Sequence, residues 1–479
     1  MKTRTLFIGS CVALITSAFT FSIRTDIMPA LGREFELSQA QLGLVVGGAF
    51  WGMFASMLIG APLCDGMGMK RILNIAWACH MVGVLATIFA PHGDWAFIVL
   101  FTATFVAGCG NGLVEIAINP LAATLFPTEK THYLNVLHAW WPGGLVIGGL
   151  LSMLVGRGID LGSLNIAGLD WGWKAQMALI LVPGITYMLI FLPQKFPPTE
   201  RVASGISTGE MFREVLRPMY LLWAFCMLLT AATELGPQQW QNAVMMRTAG
   251  ISGTLILVYT SGMMFVLRHF AGPLSHRLSP VGLLTGSATL SAIGLYLLST
   301  ADSAVTAFIF ATIFGLGIAY FWPTMLGVTA ERFPKGGAFL LGLTGSVGNL
   351  SIAVVLPVMG YTYDIYSVEA VPQQYADKVV VEEEPVWALK LFGIQKAKTI
   401  SAKATEALPL EGRKTVEQAE ATGAAMAFRV VSILPLMLIF IFGAVALRDR
   451  LSGGYQAEIL ISRHEESELL SGGVQAPVD

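Results

Sequence analysis

The feature that most constrains this chain is a repeated length. Stretches of roughly 20 mostly apolar residues, the length a helix needs to cross a hydrocarbon core, recur along all 479 residues. Only 13% of the chain is charged, against about 25% for a soluble domain. With so few charges, most segments offer water no polar face. The runs predict spans at about 5–31, 40–63, 72–91, 95–125, 137–156 and 173–193, then about 217–245, 252–271, 281–299, 303–328, 337–360 and 424–446. The expectation is an all-α integral membrane protein of twelve transmembrane helices in two groups of six.

Charge and cysteine content narrow the function. A net charge of −2 with no basic block argues against a nucleic-acid partner. Cys11, Cys64, Cys79, Cys109 and Cys226 lie in or at the ends of apolar runs, without metal-ligand spacing, and read as small hydrophobes. No metal or cofactor is expected. The start, MKTRTLFIGSCVALITSAF, is leader-like, but its apolar run continues to about residue 31 without a small-residue cleavage motif, so an uncleaved first span is expected. Fifteen Lys and Arg fall on one side of the spans and four on the other. That bias predicts cytoplasmic termini in a plasma (inner) membrane. It counts Arg268, read with His269 as the inner end of span eight.

The expected units are a six-helix bundle over 1–193, a cytoplasmic connector over 194–216, a second bundle over 217–450 and a flexible acidic tail over 451–479. The second bundle carries an outer insert at 362–423, readable as a small folded cap or a mobile loop. GISTG in the connector matches a hydrolase pattern outside the strand–turn–helix context that pattern needs. Ser207, three residues before Glu210, instead predicts a helix cap.

The two groups of six repeat each other. DIMP at 26–29 matches ELGP at 234–237; Ala61-Pro62-Leu63-Cys64-Asp65 matches Gly272-Pro273-Leu274-Ser275-His276; Gly108-Cys109-Gly110 with Phe126-Pro127 matches Gly315-Leu316-Gly317 with Phe333-Pro334. The offsets are 208, 211 and 207 residues. Six spans per copy keep the orientation, so the halves are parallel repeats, an arrangement in which a solute sits near the midplane between them. The pattern resembles the major facilitator superfamily. The loop after span two, with Asp65, Gly68, Lys70 and Arg71, is a degraded form of that family's signature. The resemblance implies a gating loop that helps lock the halves on the inner side; the plain alternative is a basic loop that only sets topology.

Polar stripes then stand out. Asn111, Glu115 and Asn119 are spaced i, i+4, i+8 in span four, and Glu234, Gln238 and Asn242 repeat that spacing in span seven. Pro120 and Pro237 should loosen the backbone beside them. An ionised side chain at the bilayer centre costs about 2.5–3.5 kcal/mol on insertion scales, so each carboxylate must face a cavity or a partner. A desolvated carboxylate also takes a proton more readily than one in water. A structural role, such as pairing of Asp26 with nearby Arg24, is the alternative. Trp140, Trp141, Trp240, Tyr320 and Trp322 could stack on a sugar face or could simply pack.

Asp26 and its surroundings in span one, Glu115 with Asn119-Pro120 in span four, and the Asn135–Gly144 stretch of span five resemble the fucose–proton symporter branch of the superfamily. The resemblance implies that Asp26 and Glu115 face the central cavity and serve proton coupling. Ile23 and Trp141 stand where that branch has asparagines, which leaves fucose itself open. The expected function is proton-coupled import of a monosaccharide or related polyol by a monomer in the lipid bilayer. Asp26, Asn111, Glu115, Asn119, His138, Trp141, Glu234, Gln238, Tyr320 and Trp322 are the candidate solute contacts, and Asp65, Lys70 and Arg71 the gating loop. A proton-driven exporter and a non-transporting sensor are the alternatives. No nucleophile with its base appears in a credible context, so no enzyme is expected.

Overall fold

The computed structural model describes residues 2–37, 39–156, 158–160, 165–250, 253–385, 389–390, 393–458 and 460. Arg157, the middle of the insert around Trp387, the Asn242 side chain and the tail past Leu460 lie outside the described residues. The first six spans are α1 (Thr3–Glu34), α2 (Gln39–Met67), α3 (Met69–Ile88), α4 (Ala96–Leu125), α5 (Lys130–Val155) and a sixth in two pieces, α6 (Gly172–Ala178) and α7 (Leu181–Phe191). An antiparallel hairpin, β1 (Gly158–Asp160) with β2 (Asn165–Ala167), joins α5 to α6 with Ile159 opposite Ile166. The connector holds α8 (Glu200–Ala203) and α9 (Thr208–Arg213). Ser207 and Glu210 cap α9 reciprocally, as their spacing predicts.

The second six are α10 (Pro218–Thr248), α11 (Gly253–Arg268) with α12 (Ala271–Leu278), α13 (Pro280–Leu298), α14 (Ala304–Ile318) with α15 (Phe321–Arg332), α16 (Gly337–Ala370), and a last span ending in α20 (Ile433–Leu451). Pro183 and Pro323 each stand third in the helix after a break. A proline offers no N–H to the carbonyl four residues back, so it ends one helix and starts the next. Span eight departs from the expected 252–271: it bends by 66° after Arg268 and continues to Leu278. Arg268 therefore lies inside the span, and the larger of the two loop-cation counts falls from fifteen to fourteen without altering the bias. The repeat is visible in the backbone. Phe126 and Phe333 end α4 and α15 with φ near −133° and −131°.

The insert is a folded cap. At about 1.5 Å per residue, α16 with its 34 residues is too long for the hydrocarbon core alone, and its last turns project beyond it. There follow α17 (Gln373–Val379), a β3 (Val380–Glu383)–β4 (Ala397–Ile400) hairpin, α18 (Ala402–Glu406) and α19 (Leu410–Val431). Val371, Val379, Leu408, Val416 and Ala419 form its own small core. Glu420 clamps it to the spans, accepting from Arg247 (2.9 Å) and the Tyr363 hydroxyl (3.1 Å).

The halves pack along α2 against α16, and along α5 against α11, α12 and α15. Small residues set the approach: Gly342 sits on Ala61 and Ile116, and Gly327 on Thr131. These contacts close the face on which α1 begins and α20 ends, called the terminal face below.

Candidate functional site

The middle of the molecule holds a cluster of ionisable groups drawn from both halves. On α4, Glu115 is 3% exposed. Its Oε2 accepts from Asn119 Nδ2 at 2.8 Å, one helical turn on. His138 of α5 completes the group: Nε2 donates to Asn119 Oδ1 at 2.9 Å and stands 3.7 Å from Glu115 Oε2. An amide oxygen only accepts, so this histidine carries its proton on Nε2. The i, i+4 spacing read from the sequence does bring Glu115 and Asn119 together, with His138 across from them.

The third residue of that stripe turns elsewhere. Asn111 is wholly buried inside the first bundle, where its Oδ1 accepts from His80 Nε2 (2.9 Å) and its Nδ2 donates to Thr20 (2.9 Å). Asp26 is also elsewhere. Its Oδ2 accepts from Ser152 (2.7 Å) and from Gln176 Nε2 (2.8 Å). Thr20 meets Asn111, so Asp26 and Glu115 lie on opposite sides of that contact, separated by about ten residues of helical rise, or about 15 Å. The structure does not bring the two carboxylates into one cluster. Nor does Arg24 pair with Asp26: it is buried in the first bundle, and none of its three guanidinium nitrogens has a hydrogen-bond partner among the described residues.

From the second half comes a cation the sequence reading had placed at the membrane edge. Arg268 is 2% exposed, and its Nη2 donates to Glu234 Oε1 at 3.1 Å. Its other bonds go to main-chain oxygens: Nε to Ala319 (2.6 Å) and Nη1 to His138 (2.8 Å). Proline explains both acceptors. Pro323 and Pro142 each stand four residues after one of these carbonyls, so neither carbonyl has a helical donor. Pro120 does the same for Ile116, whose oxygen takes the Cys64 thiol at 3.4 Å. Arg268 was recoverable from the sequence by electroneutrality, since Glu234 inside an apolar span needs a cation.

The aromatic candidates surround this cluster unevenly. Tyr320 donates its hydroxyl to the Leu267 carbonyl (2.8 Å), at the end of α11. Trp322 and Met227 both pack on Gly348, and the buried Trp322 Nε1 has no hydrogen-bond partner among the described residues. Trp141 meets Phe21 edge-on at 5.1 Å between ring centres. Gln238 reaches the Met264 sulfur, at 3.5 Å. Trp140 and Trp240 pack against Phe265 and Tyr363.

At the terminal face, Asp65 is held by Thr199 (2.6 Å) and by Arg201 Nε (2.5 Å), both from the connector, next to Gly337 at the start of α16. Lys70 donates to the carbonyls of Leu192 and Gln194 (2.8 Å each) and so finishes α7; Arg71 is exposed. Contacts the sequence did not single out complete the closure. Lys130 pairs with Glu200 at 2.6 Å. The Thr131 N–H donates to Glu331 Oε1 at 3.0 Å, and Asn135 Nδ2 to Thr324 at 3.1 Å. Tyr455 of the tail donates to the other oxygen of Glu331 at 2.6 Å.

Comparison with known proteins places this architecture. A model of the Major Facilitator Superfamily matches residues 6–371. The gentisate transporter of Corynebacterium glutamicum is 23% identical over 52% of this chain and 55% of its own. The 4-hydroxybenzoate transporter PcaK of Acinetobacter baylyi is 27% identical over 36% of this chain and 35% of its own. The chain thus spans about half the length of these two relatives, or less. Among solved structures, the proton:xylose symporter XylE bound to 6-bromo-6-deoxy-D-glucose superposes with a TM-score of 0.66 at 12% identity, over 92% of this chain and 95% of that one. The E. coli fucose:proton symporter FucP does so with a TM-score of 0.62 at 14% identity, over 91% and 99%. At these identities the likeness shows the fold alone.

Proposed function

The chain belongs to the major facilitator superfamily, and from that footing we propose that it imports a monosaccharide or related polyol together with a proton. The observation that supports the reading is the charge balance of the central cluster: Arg268 pairs with Glu234 and lies within electrostatic range of a second carboxylate, Glu115. With Glu115 ionised the cluster holds one excess negative charge; with a proton on Glu115 it is neutral. A neutral, hydroxylated solute suits that protonated state. Trp322 Nε1, buried and unbonded, is a donor such a solute could satisfy, and an unmet buried donor is costly. In this reading Glu115 carries the proton, oriented by Asn119 and His138. Glu234, Gln238, Tyr320, Trp322 and Trp141 lie around the solute path. Asp26 and Asn111, each tied to its own neighbours, shape the first bundle. The terminal face is cytoplasmic, and the contacts at Asp65, Lys130 and Glu331 form its gate.

A second reading has an organic acid as the solute. Two of the relatives are named for gentisate and 4-hydroxybenzoate, and Arg24 is a buried cation without a bonded partner among the described residues. A thermal-shift series on purified protein separates the two, using monosaccharides and hydroxybenzoates at several pH values. Proton-linked sugar binding loses about tenfold in affinity per pH unit once Glu115 is ionised. Stabilisation by sugars that ignores pH removes the proton. Stabilisation by hydroxybenzoates alone hands the solute to the second reading.

A further inference from the structure

Prolines and one arginine on opposite halves are in register, and no role above accounts for it. Arg268 uses three nitrogens on three acceptors. Ala319 O and Glu234 Oε1 belong to its own half; His138 O belongs to the other. Two of these acceptors exist because Pro323 and Pro142 remove the N–H groups that would otherwise occupy them. The bond to His138 O is therefore a crossing between halves at mid-membrane, made by a guanidinium pre-positioned on its own side. It sits directly before the 66° bend of span eight. His138 also faces Glu115 through its ring, and Arg268 and Glu115 lie within electrostatic range of each other.

We propose that Arg268 is the positioning residue that conveys the titration of Glu115 to the rocking of the halves, through the carbonyl cradle that Pro142 and Pro323 leave open. With Glu115 ionised, its charge holds the guanidinium toward the first half and reinforces the crossing to His138. With Glu115 neutral, that attraction is gone while Glu234 and Ala319 keep Arg268 on its own half. The crossing weakens and the terminal face is freer to open. The other titratable groups packed around the pair are His138 and His132 on α5, Glu234 on α10, His269 beside the bend and Tyr320 at the break between α14 and α15. Of these groups, Glu115 alone is both on the opposite half and an acid whose protonation removes an attraction on Arg268. This inference rests on the proton reading above.

The test needs no identified solute. Spin labels at positions 66 and 277 report the separation of the halves at the terminal face, with the five native cysteines replaced; both sites are exposed. In the parent protein, lowering the pH should move the distance distribution toward the open form, and Glu115→Gln should remove that response. Arg268→Gln should remove it as well, and Arg268→Lys should restore most of it by keeping the charge. Pro142→Ala, which gives His138 O a helical donor again, should shift the midpoint by about one pH unit, the scale of a weakened neighbouring charge. This proline variant keeps both ionisable groups, so it still tests the proposal if Arg268→Gln does not fold. Loss of the response in Glu115→Gln with full retention in Arg268→Gln and an unmoved midpoint in Pro142→Ala would overturn the role of Arg268 and leave the proton reading intact. A parent protein blind to pH would overturn both.

Discussion

Removing the Glu331 side chain should open the terminal face by an amount the structure lets one work out. Glu331, on α15, accepts at 3.0 Å from the Thr131 main-chain N–H on α5, so the bond joins the halves. A hydrogen bond to a charged group contributes about 1.5–3 kcal/mol. In the open state the Thr131 N–H meets water, so the whole loss in Glu331→Ala falls on the closed state. At about 1.4 kcal/mol per decade, the closed-to-open ratio should drop by roughly 10- to 150-fold. The distance between labels at positions 66 and 277 reads that ratio directly. The Tyr455 hydroxyl bonds the other oxygen of the same carboxylate from the tail. Tyr455→Phe is therefore the control, expected to change the ratio by no more than about twofold, since the Thr131 bond it spares is worth an order of magnitude or more. A ratio in Glu331→Ala that moves as little as in the control would refute the view that this contact holds the gate.

Three further outcomes follow from local geometry. Gly342→Val should also open the terminal face, because its added carbons would press on Ala61 and on Ile116, the latter 3.0 Å from the first of them; the same label pair reads it. Val416→Asp puts a carboxylate in the core of the cap, where Val416 is fully buried. Loss of the valine's burial alone is about 1.5–3 kcal/mol, so hydrogen exchange over 371–419 should rise sharply while the spans keep their protection. Hydrogen bonds from Ser207 hold the Glu210 carboxyl below its usual value. A lowered value in the folded state means that the cap favours α9 above the ordinary carboxylate range and loses this support as pH falls through the lowered one. Exchange at residues 207–213, corrected for intrinsic rate, should rise on acidification, and Ser207→Ala should weaken that pH dependence without abolishing it, since the main-chain N–H of residue 207 still donates to the Glu210 carboxylate.

The twelve helices were legible because a bilayer imposes one length on every span, and the apolar runs keep it. The repeat was legible because matched turns such as Phe126-Pro127 and Phe333-Pro334 end matched helices. The breaks within spans were not, since the apolar run continues through Leu179 and Ala319 and only a single proline marks each break. Glu115 and Asn119 were readable as a pair because they are one turn apart. The partners of Asp26 were not: Ser152 and Gln176 lie 126 and 150 residues away, and no periodicity links them. Arg268 was misplaced because a basic residue before a Gly-Pro pair looks like the end of a positive-inside span, whereas the chain bends there and goes on. The insert's polar composition fits loop and cap alike; what decides for the cap is a handful of apolar residues that only the fold brings together.

The central claim is that Glu115 carries the proton that moves with the solute. It is tested most directly by recording external pH as a solute found in the thermal-shift series is added to unbuffered proteoliposomes containing the parent protein or Glu115→Gln. The parent should take up protons with the solute, and the variant should exchange solute across the membrane without any pH change. Undiminished solute-driven proton uptake in Glu115→Gln would contradict the claim.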